Sequence, residues 1–209
     1  MATYIIIAVI AYLIGSVNFS VLISKKMAGF DVREKGSGNA GATNMLRSVG
    51  KKAAVLTLLC DALKGVEAII FAIIVGAIAK ESDEALLVQI AGILVVVGHT
   101  YPVFFGFKGG KGVATALGVL LITNWKIGLI CLVFALVIMA LTRIVSAGSV
   151  VAAVLFPVLV LFMHTNYTIS EGSSYFVYSI ILAVIVLFNH RSNIKRILSG
   201  TENKLSFKK

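Results

Sequence analysis

Charge is what this sequence has least of. Asp, Glu, Lys and Arg make up 13% of its 209 residues, about half their share in a soluble domain. Proline occurs twice and cysteine twice. Cys60 and Cys131 both lie in apolar runs and read as small buried hydrophobes, which leaves no disulfide framework and no CxxC metal spacing. Hydrocarbon takes the place of charge: 59% of the residues are hydrophobic, and the mean hydropathy is +1.00. Between Ala2 and Ser24 there is no charged residue. A bilayer core of roughly 30 Å needs about 20 apolar helical residues to cross it. The composition therefore predicts an all-α integral membrane protein.

The first apolar run has no preceding Lys or Arg and exceeds the roughly 7–15 residues of a signal-peptide core, so it reads as a span of the mature protein. Spans are predicted at 2–24, 53–79, 85–99, 111–124, 127–142, 145–163 and 175–189, with a tight break at Asn124, Trp125 and Lys126. This makes a seven-transmembrane-helix bundle, one polytopic domain over 1–209 without internal repeats. Six spans are the alternative. Lys25, Lys26, Arg33, Lys35, Arg47, Lys51 and Lys52 crowd the first loop, and the C-terminal tail is also basic. The turn 80–84, KESDE, is acidic, and the 164–174 loop has Glu171 and no cation. An odd span count puts every cationic segment on one side, so the N-terminus is expected outside and the C-terminus in the cytoplasm. The formal net charge of +10 follows from those loops and from contact with anionic headgroups, not from nucleic acid.

Three segments depart from the hydrocarbon: GSGNAGATNMLR at 36–47, GHTYPVFFGFKGGKG at 98–112 and FNHRSNIKRILSG at 188–200. Glycines let consecutive backbone N–H groups curl round an anion. Ser37 and Asn39 stand among Gly36, Gly38 and Gly41, and Arg47 adds a planar fork for phosphate oxygens. Lys108 and Lys111 sit between Gly106, Gly109, Gly110 and Gly112, just before an apolar helix. The spans flanking the second segment are short, so its loop is expected to dip below the headgroups and line a polar cavity. The spacing is not that of a P-loop. His190 and Asn193, one turn apart, share a face in the third segment, and His99 lies at the start of the second. A histidine near an anion site can orient or deprotonate a hydroxyl; one at a span end is often only interfacial. Ser146 and Ser149 lie at a span end, where a serine commonly bonds its own helix carbonyl. Asp61, Lys64 and Glu67 are spaced along one apolar helix, where intramembrane charges usually pair and fix packing. His164 is given no role.

Several signatures are missing: the HxxxxD dyad of soluble-type glycerolipid acyltransferases, a GxSxG elbow, a DxD pair and a metal-ligand cluster. An enzyme with this sequence needs a substrate that arrives activated. No cofactor and no metal are expected.

The three segments, in this order and with the DALKG of the second span, resemble the cytoplasmic motifs of the acyl-phosphate:glycerol-3-phosphate acyltransferases (PlsY), over essentially the whole chain. The resemblance implies a bacterial inner-membrane enzyme with seven spans. It would transfer the acyl group of an acyl phosphate to the 1-hydroxyl of glycerol 3-phosphate, giving lysophosphatidic acid and phosphate without acyl-CoA. It also implies that Ser37, Arg47 and Lys111 clamp the glycerol 3-phosphate phosphate, with Ser149 as a further member. Asn193 and His190 would meet substrate as catalytic residues beside Lys111, and Asn39, Asn44, Lys108 and His99 would join the binding site. The partners implied are the two small substrates and the lipid bilayer, with no nucleic acid. The main rival is an organic-phosphate or anion transporter, which would also use cationic glycine-rich segments but commonly shows internal repeats and midplane sites.

Overall fold

A computed structural model of the chain describes residues 1–163 and 172–205. His164 and Glu171 of the expected outer loop, and Lys208 and Lys209 of the tail, lie outside the described residues. Among the described residues the secondary structure is entirely helical. The chain forms two compact units, one over Met1–Thr123 and one from Asn124 onward.

The first unit contains α1 (Ala2–Ser16), α2 (Phe19–Ala28), α3 (Ala42–Ser48), α4 (Lys51–Ala79), α5 (Glu84–Thr100) and α6 (Val113–Thr123). α4 is its spine: α1, α2, α3, α5 and α6 all pack against it. α1 lies along α5, where Gly15 and Gly98 let the two backbones touch; a Cβ at Gly98 would strike the Tyr12 carbonyl. Small buried residues such as Ala11, Ala68, Ala72 and Ala91 fill the interface, the usual way for membrane helices to approach closely. Long apolar side chains including Ile5, Leu59, Leu63 and Ile74 point outward, as expected where lipid is the solvent.

The second unit contains α7 (Trp125–Thr142), α8 (Val145–Phe162), α9 (Gly172–Asn189) and α10 (Arg191–Leu198). α8 packs on both α7 and α9. Phe156 of α8 meets Tyr175 and Tyr178 of α9 edge to face, with centroids 6.0 and 6.4 Å apart. α10 leaves α9 at 64°.

The helix ends lie within a few residues of the expected ones, with one difference. The predicted 2–24 span is two helices, interrupted at Val17 and Asn18. Hydropathy continues through the break, but the Asn18 side chain accepts from Val21 N (3.2 Å) and from Ser20 Oγ (2.7 Å), starting a new helix at Phe19. The expected break at residues 124–126 is present: α6 ends at Thr123, and Asn124 caps α7 by accepting from Ile127 N at 3.2 Å. Among the described residues five helical segments are long and apolar enough to cross a membrane, or six if the bent α9–α10 pair is one span. α6 has 11 residues and rises about 16 Å, which is why it is not among them.

Candidate functional site

The first glycine-rich segment is held by its own buried residues. Gly36 (φ 61°) takes the left-handed backbone that turns the chain after Lys35. Asn44, buried on α3, then closes the loop. Its Oδ1 accepts from Ser37 N at 2.9 Å, and its Nδ2 donates to the Val32 and Lys35 carbonyls at 2.9 and 3.0 Å. Beneath the loop Val21, Val32, Ala40, Met45 and Ala53 form a small apolar core. Ser37 and Arg47 remain exposed and Asn39 half-buried.

The second segment turns back on the end of α5. Gly109 N donates to the Thr100 carbonyl and Gly110 N to the His99 carbonyl, both at 3.1 Å. Gly110 must be glycine for lack of room: a Cβ there would collide with His99 Nε2 and the Ala40 carbonyl. The two motifs therefore meet at Gly110, where the Ala40 carbonyl of the first segment and the His99 ring lie together against its Cα. Lys108 is exposed and Lys111 half-buried.

Arg33, in the turn just before the first segment, reaches the second. Its Nε and Nη2 donate to the two oxygens of Asp31 at 3.0 and 2.8 Å. Its Nη1 reaches the Phe105 and Lys108 carbonyls at 2.7 and 3.0 Å. The Arg33 hydrogen bond holds the Asp31 carboxyl below its ordinary value. Only a planar guanidinium serves a carboxylate and two carbonyls at once. Sequence reasoning placed Arg33 among the topology charges because its loop partners are 72 and 75 residues away.

Behind the loops lies a buried charge cluster. Lys64 Nζ donates to the Gly15 and Val17 carbonyls at 3.0 and 2.7 Å and pairs with Asp61 Oδ1 at 3.1 Å. The same Asp61 oxygen is 3.5 Å from His99 Nδ1. Asp61 and Lys64 pair as their spacing suggests, whereas Glu67 is exposed and outside the cluster. Six residues of helix rotate a side chain by about 240°, off the shared face.

In the second unit a tail carboxylate is the centre. Glu202 Oε1 accepts from Asn193 Nδ2 (2.7 Å) and Ser146 Oγ (3.0 Å), and its Oε2 from Arg196 Nε (2.6 Å). Burial raises the Glu202 carboxyl, but these three donors outweigh it and hold it below its ordinary value. His190 caps α10, and its Nδ1 is 2.8 Å from the Val186 carbonyl. Ser149 Oγ donates to the Val145 carbonyl at 3.1 Å, the local bond serines make in membrane helices. Glu202 was missed in the sequence; its nine-residue separation from Asn193 crosses a helix end and follows no helical period.

These features define a helical, multi-pass integral membrane protein whose non-helical segments are rich in glycine and cations. A sequence model described as glycerol-3-phosphate acyltransferase matches residues 5–200. The chain belongs to the glycerol-3-phosphate acyltransferase family. It is 42% identical over 207 residues to a glycerol-3-phosphate acyltransferase of Clostridioides difficile (strain 630), covering 99% of this chain and 98% of that protein. It is 44% identical over 201 residues to the enzyme of the same description in Thermoanaerobacter pseudethanolicus, covering 96% and 95%. Among solved structures it resembles PlsY (YgiH), an integral membrane glycerol 3-phosphate acyltransferase, in its glycerol 3-phosphate form. That match has TM-score 0.85 and 35% identity, covering 97% of this chain and 96% of the other. The lysophosphatidic acid form of PlsY matches with TM-score 0.81.

Proposed function

We propose that the protein transfers the acyl group of an acyl phosphate to the 1-hydroxyl of glycerol 3-phosphate. The products are lysophosphatidic acid and inorganic phosphate, as the first acylation in bacterial phospholipid synthesis. Membership of the acyltransferase family supports the reaction class. The observation that carries the reading is the Arg33 crosslink. It ties the turn at 31–33, immediately before the first glycine-rich segment, to the second, while Arg47 and Lys108 stay exposed and Lys111 half-buried.

Ser37, Arg47 and Lys111 hold the phosphate of glycerol 3-phosphate, with Asn39, Lys108 and His99 beside them. Asn44, whose amide is engaged by the loop, contributes by shaping it. In the second unit Asn193, His190 and Ser149 are assigned to the substrates as well. The hydroxyl oxygen attacks the acyl carbonyl, the bond from that carbonyl to the phosphate oxygen breaks, and the ester forms. The proton passes to the departing phosphate, so no side chain need be a strong base. An acyl phosphate carries its own leaving group, so placement of the hydroxyl and cationic stabilisation of the leaving phosphate suffice. The active site faces the cytoplasm, from the inner membrane of a bacterium, in a seven-span arrangement with the N-terminus outside. The fatty tail stays in lipid.

Purified protein in detergent, given palmitoyl phosphate and labelled glycerol 3-phosphate, is expected to release phosphate and form labelled lysophosphatidic acid in equal amounts. EDTA leaves the rate unchanged, and palmitoyl-CoA does not replace the acyl phosphate. Turnover on palmitoyl-CoA alone overturns the donor assignment. Uptake of labelled glycerol 3-phosphate into sealed proteoliposomes without any acylation overturns the reaction in favour of transport.

A further inference from the structure

The Asp61–Lys64–His99 cluster is buried and in no contact with the exposed cations, yet it ends at the point where the two motif segments meet. The His99 imidazole has Asp61 Oδ1 on its Nδ1 side at 3.5 Å and Gly110 with the Ala40 carbonyl on its Nε2 side. At the same Asp61 oxygen, Lys64 Nζ pairs at 3.1 Å and uses its other donors on the Gly15 and Val17 carbonyls at the α1–α2 break. Asp61, Lys64 and His99 are each at most 4% exposed. A carboxylate so deep in an apolar helix is costly unless paired. One lysine would satisfy that need, so the contact with His99 calls for a reason of its own.

We propose that Asp61 is a positioning residue of the phosphate site: it fixes the His99 ring so that Nε2, side by side with the Ala40 carbonyl, packs against Gly110 and sets the spacing between the Ser37–Arg47 and Lys108–Lys111 segments. This rests on the reading that those segments hold the glycerol 3-phosphate phosphate. Lys64 balances the Asp61 charge and anchors it to the α1 break, so the brace stands on the helical frame and not on a loop. Ser37, Arg47 and Lys111 belong to two segments more than 60 residues apart in sequence. Their convergence depends on what separates the segments, and His99 is the side chain found there.

The test is a double-mutant cycle on the full-length protein in detergent, with glycerol 3-phosphate and palmitoyl phosphate varied separately. Asp61→Asn keeps the shape of the side chain and removes its charge. It is expected to lower kcat/KM for glycerol 3-phosphate by about 10- to 100-fold, the cost of a small misplacement, while KM for palmitoyl phosphate stays within about twofold. His99→Gln and His99→Asn, which leave α4 intact, should each give a loss of the same kind. Because Asp61 acts through His99, adding Asp61→Asn to His99→Gln should change kcat/KM by less than about twofold. Additive losses, or wild-type kinetics in both His99 variants, overturn the proposal. If Asp61→Asn fails to insert, the two His99 variants decide the matter alone. Arg47→Ala separates the two readings: near-normal kinetics in that variant removes the phosphate site itself. An impaired Arg47→Ala beside normal His99 variants removes only the brace.

Discussion

Asp31 in the first unit gives both carboxylate oxygens to one side chain, Arg33, whereas Glu202 in the second divides its oxygens among Ser146, Asn193 and Arg196. The two arrangements do different things. Arg33, once gripped by Asp31, extends its remaining face to the carbonyls of a distant loop and works as a crosslink. The pair is neutral, and Arg47 and Lys108 carry their positive charge exposed. Glu202 instead gathers donors from α8 and α10 and absorbs the charge of Arg196. One region is arranged to keep positive charge available, the other to fix the tail against a helix. Loss of the exposed cations of the first should therefore show in substrate use, whereas loss of the partners of either carboxylate should show in stability.

The sharpest break of that contrast is at Arg47 and Lys111. Arg47→Ala and Lys111→Ala should each lose charge-assisted hydrogen bonds worth about 1.5–3 kcal/mol. That corresponds to about 10- to 150-fold in kcat/KM for glycerol 3-phosphate, read from phosphate release at varied substrate. Arg47→Lys should be nearly as harmful, since an ammonium cannot copy a bidentate fork. Unchanged kinetics would return both cations to the role of headgroup contacts. Next in size is the crosslink: Arg33→Ala leaves buried Asp31 without its main partner, and thermal unfolding in detergent should show a loss of about 1–3 kcal/mol.

The Glu202 centre should respond in stability and, at Asn193, which is also assigned to the substrates, in turnover as well. Asn193→Ala and Ser146→Ala should each cost about 1 kcal/mol. Arg196→Ala should cost less than about 1 kcal/mol, because that side chain is 40% exposed and screened by solvent. Both carboxyls sit below their ordinary values when folded. Their stabilisation is thus complete above the unfolded carboxylate range, about pH 4, and is lost as pH falls through the lower folded values. Asp31→Asn and Glu202→Gln should each flatten the acid side of a plot of unfolding temperature against pH; an unaltered acid side would mean other groups set it. The smallest effect belongs to Lys126→Ala, on an exposed cation in neither region, which should stay within about 0.5 kcal/mol of the parent protein. Orientation is checked separately, by labelling single cysteines introduced at Lys35, Ser82 and Lys204 in intact cells. Positions 35 and 204 should be protected together and 82 accessible; labelling of 35 and 204 from opposite faces rejects the seven-span arrangement.

Much of the fold was legible because its signal is local. Apolar runs marked α4, α5, α7, α8 and α9 to within a few residues, and a three-residue spacing on one helix announced the Asp61–Lys64 pair. The break in the first span was not legible, since the run stays uncharged through Ser16, Val17 and Asn18 and only the Asn18 cap shows the interruption. The candidate residues stood out for the same local reason, as glycines and cations in a hydrocarbon background. What held them did not. Arg33 looked like one more topology charge, and nothing in the sequence singled out Glu202, until tertiary structure supplied their partners. Asn44 shows the opposite limit: its motif position suggested substrate, while its amide is occupied by Ser37, Val32 and Lys35 of its own loop.

The Lys64 ammonium has a consequence for how the chain is made. The carbonyls it caps belong to Gly15 and Val17, residues that leave the ribosome 49 and 47 positions earlier. The Asn18 cap can start the break from within the first segment, but the Gly15 and Val17 carbonyls gain the Lys64 donor only once α4 is in place. The two bonds that tie the first span to the second long helix are therefore the last part of that span to be made.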